Sequence, residues 1–297
     1  MKKTSTAVAV AIAFLWMAAY ERPAAQSAGP PNFGLPPGVI PVSKWQAPKR
    51  ADGQPDIEGY WVAASNEGGS SGVNIEAMTG VMGNKRVTPG IVIDPPDKMI
   101  PYLPWARQRR DEMRDTTMIA PTPAMVDTRN RGWPDGVPRI NYYFVNSFQI
   151  LQPKGAVLIL YEAQHEFRYI PLDKRPQIDE GVKMWMGSSR GRWEGNTLVV
   201  DVANINDRVR LSIAGDFASD KLKVTEYWTW IDKNTIKHRA TFTDPNVYSR
   251  PWTVAMTINR VMEPGYELLE YSGVEGERDA HLMVDIPASK KDKDPKQ

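Results

Sequence analysis

The sequence contains no cysteine, so neither a disulfide bond nor a lipid anchor on an amino-terminal cysteine can form. Only three histidines are present, and their spacing does not resemble a zinc-binding set. The glycine patterns of phosphate-binding and dinucleotide-binding loops are also missing. Basic and acidic residues nearly balance, at 37 against 35, which argues against nucleic acid as a partner. We therefore expect a protein that works without a metal or another cofactor.

The first segment has the three parts of a secretory signal peptide. Lys2 and Lys3 precede the apolar run from Ala7 to Ala19. Tyr20-Glu21-Arg22-Pro23 follows, and then A-A-Q-S, in which Ala25 and Ser27 fit the small positions before a cleavage site. The apolar run is shorter than the ~20 residues that a membrane-spanning helix needs. We predict cleavage near Ser27, which gives a periplasmic or secreted mature protein with no stable membrane span. An uncleaved membrane anchor is the alternative.

The rest of the chain divides into three stretches. Residues 28–56 are rich in proline and glycine and predict an extended leader on the surface. Residues 57–288 predict one domain that includes a long loop over 64–100 and a short surface helix over about 104–115. Residues 289–297 are charged, with no apolar side chain to bury, which is typical of a disordered tail.

Strand patterns recur over most of the domain without intervening helices, which favours an antiparallel sheet. A sheet of this many strands can close into a barrel, which removes the unpaired edge strands of an open sheet. We predict an all-β fold, either an antiparallel lipocalin-like barrel or a barrel-like sandwich. The predicted strands are Ile57–Val62, Phe148–Gln152, Ala156–Ile170, Gly191–Glu194, Thr197–Ala203, Leu222–Ile231, Thr235–Asp244, Trp252–Arg260 and Glu267–Tyr271.

Alternation along two neighbouring strands places polar groups on the apolar, inward face. Glu226 and His238 both occupy that face. Because the two apolar faces must lie on the same side of the sheet, a three-residue loop, Asp232–Asn234, is expected between the strands. Trp228 then pairs with His238, and Glu226 lies diagonal to His238 at roughly 7–8 Å between Cα atoms.

The predicted strand Ala156–Ile170 alternates similarly, which places His165 on an inward face across from this pair. A buried carboxylate needs a partner or a wet cavity, and burial would shift its pKa towards neutral pH. We expect the catalytic residues to be Glu226, His238 and His165. A structural ion pair between Glu226 and an arginine is the alternative. The predicted ligand-binding residues are Tyr161, Arg190, Arg192, Trp193, Trp228 and Arg260.

The stretch W-M-G-S-S-R-G-R-W-E-G-N-T-L-V-V-D predicts a tight hairpin that turns at Gly195-Asn196, with Trp193 at the rim of the cavity or plugging the end of the barrel. With Y-E-A-Q-H-E-F-R-Y-I-P-L-D upstream and D-P-N-V-Y-S-R-P-W-T downstream, it resembles a large, mostly uncharacterised family of exported bacterial proteins. The resemblance covers roughly residues 52–271 and implies export and a barrel-like body, but no particular activity. Gly59-Tyr60-Trp61 also matches the G-x-W at the start of lipocalin-like barrels.

Two classes of function remain open. The first is a cofactor-independent isomerase, lyase or hydrolase that performs acid–base chemistry on a small aromatic, terpenoid or sugar-like compound. The second is a non-catalytic, lipocalin-like protein that binds a small apolar ligand. Because a carrier pocket is mostly apolar and the inward residues here are charged, the sequence favours the enzyme. The oligomeric state does not follow from the sequence.

Overall fold

The computed structural model describes residues 45–64, 75–77, 90–115, 125–142 and 147–271, which all lie in one compact unit. The predicted signal peptide, part of the leader, much of the long loop and the charged tail lie outside these ranges. The described strands are β1 Gly59–Ala63, β2 Val92–Asp94, β3 Ser147–Leu151, β4 Ala156–Tyr161, β5 Phe167–Pro171, β6 Ser188–Glu194, β7 Thr197–Ala203, β8 Lys223–Asp232, β9 Thr235–Thr243 and β10 Trp252–Arg260.

Nine of these strands follow one antiparallel path in the order β5-β4-β3-β1-β10-β9-β8-β7-β6, and β2 pairs with β10 beside it. The two ends of the path, β5 and β6, approach each other without a backbone ladder. We call this approach the seam. A Cβ atom on Gly191 of β6 would lie 2.7 Å from Ile170 Cγ2 of β5, so only glycine permits such a close approach. The fold is a nearly closed antiparallel β-barrel, which confirms the predicted fold class.

Aromatic side chains fill much of the barrel interior. Trp61, Trp228, Trp230 and Trp252 are fully buried. The rings of Trp61 and Trp230 meet edge to face, with their centroids 6.0 Å apart. Such aromatic pairs add to the stability that burial of their area provides.

Part of the leader lies against the barrel end where β8 finishes. The Gly195-Asn196 turn of the β6–β7 hairpin forms as predicted, since Glu194 pairs with Thr197. The Asn196 side chain donates to the Trp45 carbonyl at 2.7 Å and accepts from the Ala47 amide at 3.2 Å. One turn residue therefore fixes the leader to the barrel.

The helix α1 spans Pro104–Asp115, within the predicted bounds. Of the apolar side chains on this helix, Ala106 and Met113 are buried, whereas Trp105 is 54% exposed. Arg110 is buried instead and forms ion pairs with Glu76 and Asp216. A polar helix can pack inward here because the charge that it buries is paired. No helix within the described ranges has the length and apolar character to cross a membrane.

The predicted strand Ala156–Ile170 is wrong, because a turn at Glu162–Glu166 divides it into the hairpin β4–β5. Gln164 and His165 in this turn adopt left-handed backbone conformations, with φ of 58° and 54°. The strand predicted at Glu267–Tyr271 is also wrong, since that segment has no ladder.

The β8–β9 connection differs from the predicted three-residue loop. Asp232 pairs directly with Thr235, which leaves a two-residue turn, and a bulge between Trp230 and Asp232 restores the register. The bulge shifts the pairing by one residue, so a two-residue turn is compatible with both apolar faces lying on the same side of the sheet. Beyond it, Trp228 faces His238 and Glu226 faces Ala240, as predicted.

Candidate functional site

Glu226 forms the centre of a buried polar cluster in the barrel interior. Its Oε1 atom lies 3.1 Å from His238 Nε2 and accepts a hydrogen bond from Asn141 Nδ2, also at 3.1 Å. Its Oε2 atom accepts a charge-assisted hydrogen bond from Arg168 Nη2. Glu226 and His238 have no exposed surface. The prediction that both face inward and lie close together is confirmed.

The ionisation of Glu226 follows from its partners. Burial by itself raises the pKa of this carboxyl group, but the Arg168 guanidinium and the His238 hydrogen bond outweigh burial and lower the pKa from 4.5 to about 2. The expected shift of the Glu226 pKa towards neutral pH is therefore wrong. Glu226 is an ionised carboxylate at neutral pH and is suited to orienting other groups.

The tautomer of His238 follows from the ionisation of Glu226. An ionised carboxylate only accepts hydrogen bonds, so His238 Nε2 carries the proton that the two groups share. Among the described residues, the Nδ1 atom of His238 and the hydroxyl oxygen of Tyr142 are buried without a hydrogen-bond partner, as are the neighbouring Arg168 Nη1 and Trp228 Nε1 atoms. The His238 and Tyr142 rings contact edge to face, with centroids 6.3 Å apart. Most buried polar atoms in proteins have partners, so a group of unpaired atoms around one carboxylate requires an explanation.

Asn141 connects the cluster to the wall of the barrel. Its Oδ1 atom accepts a hydrogen bond from the Tyr161 hydroxyl at 2.8 Å, while its amide group donates to Glu226. Burial raises the pKa values of the Tyr161 and Tyr142 hydroxyls, and the negative charge of Glu226 adds to both increases. Both hydroxyls therefore stay protonated over the physiological pH range, and Tyr161 donates its proton to Asn141.

Arg168 is the main member of the cluster that sequence reasoning missed. Its Nε atom donates to Ser189 Oγ at 2.9 Å across the seam, and its Nη2 atom reaches Glu226 on β8. An unbroken strand would have placed Arg168 on the outward face. The turn before β5 resets the alternation, so Arg168 faces inward and Phe167 is 63% exposed. The left-handed Gln164 and His165 carry no strong sequence signal for such a turn.

His165 lies outside the cluster, so the prediction that it faces Glu226 across a common cavity is wrong. Its side chain is exposed. Its Nε2 atom accepts a hydrogen bond from the Tyr271 amide at 3.3 Å. The left-handed backbone of the β4–β5 turn directs the histidine away from the interior.

The predicted ligand-binding residues separate into two groups. Tyr161 and Trp228 contact the cluster, and the Trp228 ring meets His238 at a centroid distance of 4.6 Å. The other four bind neighbouring chain segments and do not reach Glu226. Their contacts are Arg190 to the Pro176 carbonyl, Arg192 to Asp201, Trp193 to Gln54 and Arg260 to the Glu58 carbonyl.

Trp193 packs beside Trp230 and donates to Gln54 of the leader. This contact agrees with the alternative in which Trp193 plugs the end of the barrel. Gly187–Gly191 also has the spacing G-x-S-x-G, which sequence reasoning overlooked. Its serine, Ser189, lies within β6 and accepts a hydrogen bond from Arg168. Because it is not at a strand-to-helix turn, it lacks the geometry of a hydrolase nucleophile.

Across the described part of the chain, no group of three or more acidic or histidine side chains could hold a metal ion. The fold and the cluster define a nearly closed antiparallel barrel with a buried ion pair and histidine at its centre. Comparison with family models, curated proteins and solved structures finds no match to this chain.

Proposed function

We propose that this barrel is a cofactor-independent enzyme that performs acid–base chemistry on a small molecule, with His238 as the group that transfers the proton. The observation that carries the proposal is that His238 Nδ1 and the Tyr142 hydroxyl, on two rings in contact, are both buried without a partner among the described residues. A neutral imidazole whose Nε2–H donates a hydrogen bond to a carboxylate presents Nδ1 as a base. Glu226 holds the ring in place and stabilises its protonated form, as in other carboxylate–histidine pairs.

The seam supplies the route by which a substrate would reach this cluster. Arg168 on β5 donates a hydrogen bond across the seam to Ser189 on β6. The same arginine binds Glu226, so it connects the seam to the cluster. No backbone ladder joins β5 to β6, so the two strands can separate more easily than any other neighbouring pair on the path. We place substrate entry there.

The substrate class remains that expected from the sequence, a small aromatic, terpenoid or sugar-like compound. The aromatic rings around the cluster, Trp228, Phe148 and Tyr142, support a compound with a flat or apolar face. A carrier of purely apolar ligands is less well supported. Such a ligand would lie against a carboxylate, a guanidinium and an imidazole, and contact between charged groups and hydrocarbon is unfavourable. Export to the periplasm or medium, and membership of the resembled family, are parts of the same proposal.

An untargeted metabolite screen tests the proposal. The purified mature protein is incubated with metabolite extracts, and the His238→Asn variant and a Lys223→Gln control are run beside it. Lys223 lies on β8 with its side chain exposed, so the control keeps the interior intact. We expect conversion of a compound by wild type and control and a loss of about 10²–10⁴-fold in the His238 variant. A compound that binds without conversion in all three proteins would contradict an enzymatic role.

A further inference from the structure

A second candidate site lies on the outside of the barrel, at the turn between β4 and β5. It is a groove of about 490 Å³, within the size range of small-molecule sites. Its apolar walls are Leu158 and Leu160 of β4, Phe167 of β5, and Leu268 and Leu269 of the last described segment. We call it the outer groove. Leu269 is 70% exposed, so this apolar surface is open to solvent.

Two acidic residues, Glu162 and Glu166, line the outer groove together with Tyr161 and His165. None of the described lysines or arginines lines it. Glu166 is half-buried, and within the described ranges its carboxylate has neither a hydrogen-bond nor an ion-pair partner. Burial, and next the nearby charge of Asp135, raise the pKa of Glu166. A partly buried carboxylate of this kind is stabilised by a cation from outside the protein.

The backbone beneath the groove is held in an uncommon shape. Two consecutive non-glycine residues, Gln164 and His165, have left-handed conformations, each of which costs roughly 1–2 kcal/mol. The Gln164 side chain bonds to the Asp135 amide and the Trp133 carbonyl, so a second chain segment fixes the turn. Strain that the surrounding structure maintains is a common feature of ligand sites.

We propose that the outer groove binds a small amphipathic amine, with its hydrocarbon part against Leu160, Phe167 and Leu269 and its ammonium group against the Glu166 carboxylate. The inference is independent of the proposed chemistry at His238. An amine matches the groove in two respects, since its chain covers the exposed apolar walls and its charge pairs with the carboxylate that has no partner.

Calorimetric titration of the full chain with octylamine, octanol and octanoate tests this assignment. We expect octylamine to bind about tenfold more tightly than octanol, and octanoate to bind most weakly. Glu166→Gln should remove the preference for octylamine and leave octanol affinity unchanged, which shows that the groove is intact. Phe167→Ser should weaken the binding of octylamine and of octanol to the same extent. Tyr169→Ser is the matched control, since Tyr169 is an exposed aromatic residue of the same strand that does not line the groove.

Equal affinity for the three probes, or an octylamine affinity that Glu166→Gln leaves unchanged, would overturn the proposal. So would an octylamine affinity that rises when Leu282 and Met283 are both replaced by serine, because the chain's own carboxyl-terminal segment would then be the occupant.

Discussion

Glu226 illustrates how the partners of one side chain decide its role. A carboxylate without exposed surface would normally be protonated, yet Arg168, His238 and Asn141 together keep Glu226 ionised. Each of these partners, in turn, is stabilised in its buried position by the negative charge of Glu226. Removing Glu226 leaves Arg168 buried without its counter-ion.

We expect Glu226→Gln to lower the free energy of unfolding by about 3–5 kcal/mol, because it strands the guanidinium of Arg168. Thermal and urea unfolding of the purified variant measure the loss. Lys223→Gln on the exposed face of the same strand should change stability by less than about 0.5 kcal/mol. The double variant Glu226→Gln with Arg168→Met should recover part of the loss. An unchanged melting temperature for Glu226→Gln would refute the structural importance of the ion pair.

The lowered pKa of Glu226 also predicts a dependence of stability on pH. The folded-state pKa of about 2 lies below the ordinary value of 4.5, so the ionised form is favoured by folding. This contribution, on the order of 3 kcal/mol, is fully present above pH 4.5 and is lost as the pH falls towards 2. Urea unfolding between these pH values should show a steeper loss for wild type than for Glu226→Gln. Parallel curves for the two proteins would contradict the lowered pKa.

The inward positions of Glu226 and His238 could be predicted because β8 and β9 alternate regularly and must share one buried face. Arg168 could not, because a turn of ordinary residues resets the alternation before β5. Asn141 and Tyr142 lie at the end of a three-residue 3-10 helix, which is too short for a periodic pattern to indicate which way its side chains point. Local pattern therefore predicted the carboxylate and the imidazole, but not the cation and the amide that complete the cluster.

At the scale of the elements, the seam between β5 and β6 is the distinctive feature. The seam depends on side chains such as Arg168 and Ser189, and on the absence of a side chain at Gly191. The barrel itself was predictable from the number and spacing of the strands. The identity of the two end strands was not, because it depends on contacts between residues far apart in the sequence.

Gly191→Ala should push the seam apart, because a Cβ atom there would lie 2.7 Å from Ile170 and 2.8 Å from Leu172. We expect a loss of about 1–3 kcal/mol in unfolding free energy, as for other overpacked sites. Gly181→Ala is the matched control, since that glycine is exposed and its nearest neighbour is the end of a flexible side chain. Equal stability of the two variants would show that the strands do not meet as closely as described.

For the whole molecule, the signal-peptide pattern in the sequence predicts export. Intact-mass measurement of the protein recovered from the periplasm or medium should give an amino terminus at or near Ala28. A full-length chain retained in the membrane fraction would show that the first segment is an anchor and not a cleaved signal.

We infer that His238 presents a free basic nitrogen, Nδ1, inside the barrel because its other nitrogen, Nε2, donates its proton in a hydrogen bond to the ionised Glu226. The chain has only three histidines, so their ring nitrogens can be resolved by long-range proton–nitrogen NMR and assigned with the His165→Asn and His238→Asn variants. We expect the His238 ring to carry its proton on Nε2, with Nδ1 unprotonated. A His238 ring protonated at Nδ1 and bare at Nε2 would contradict the account.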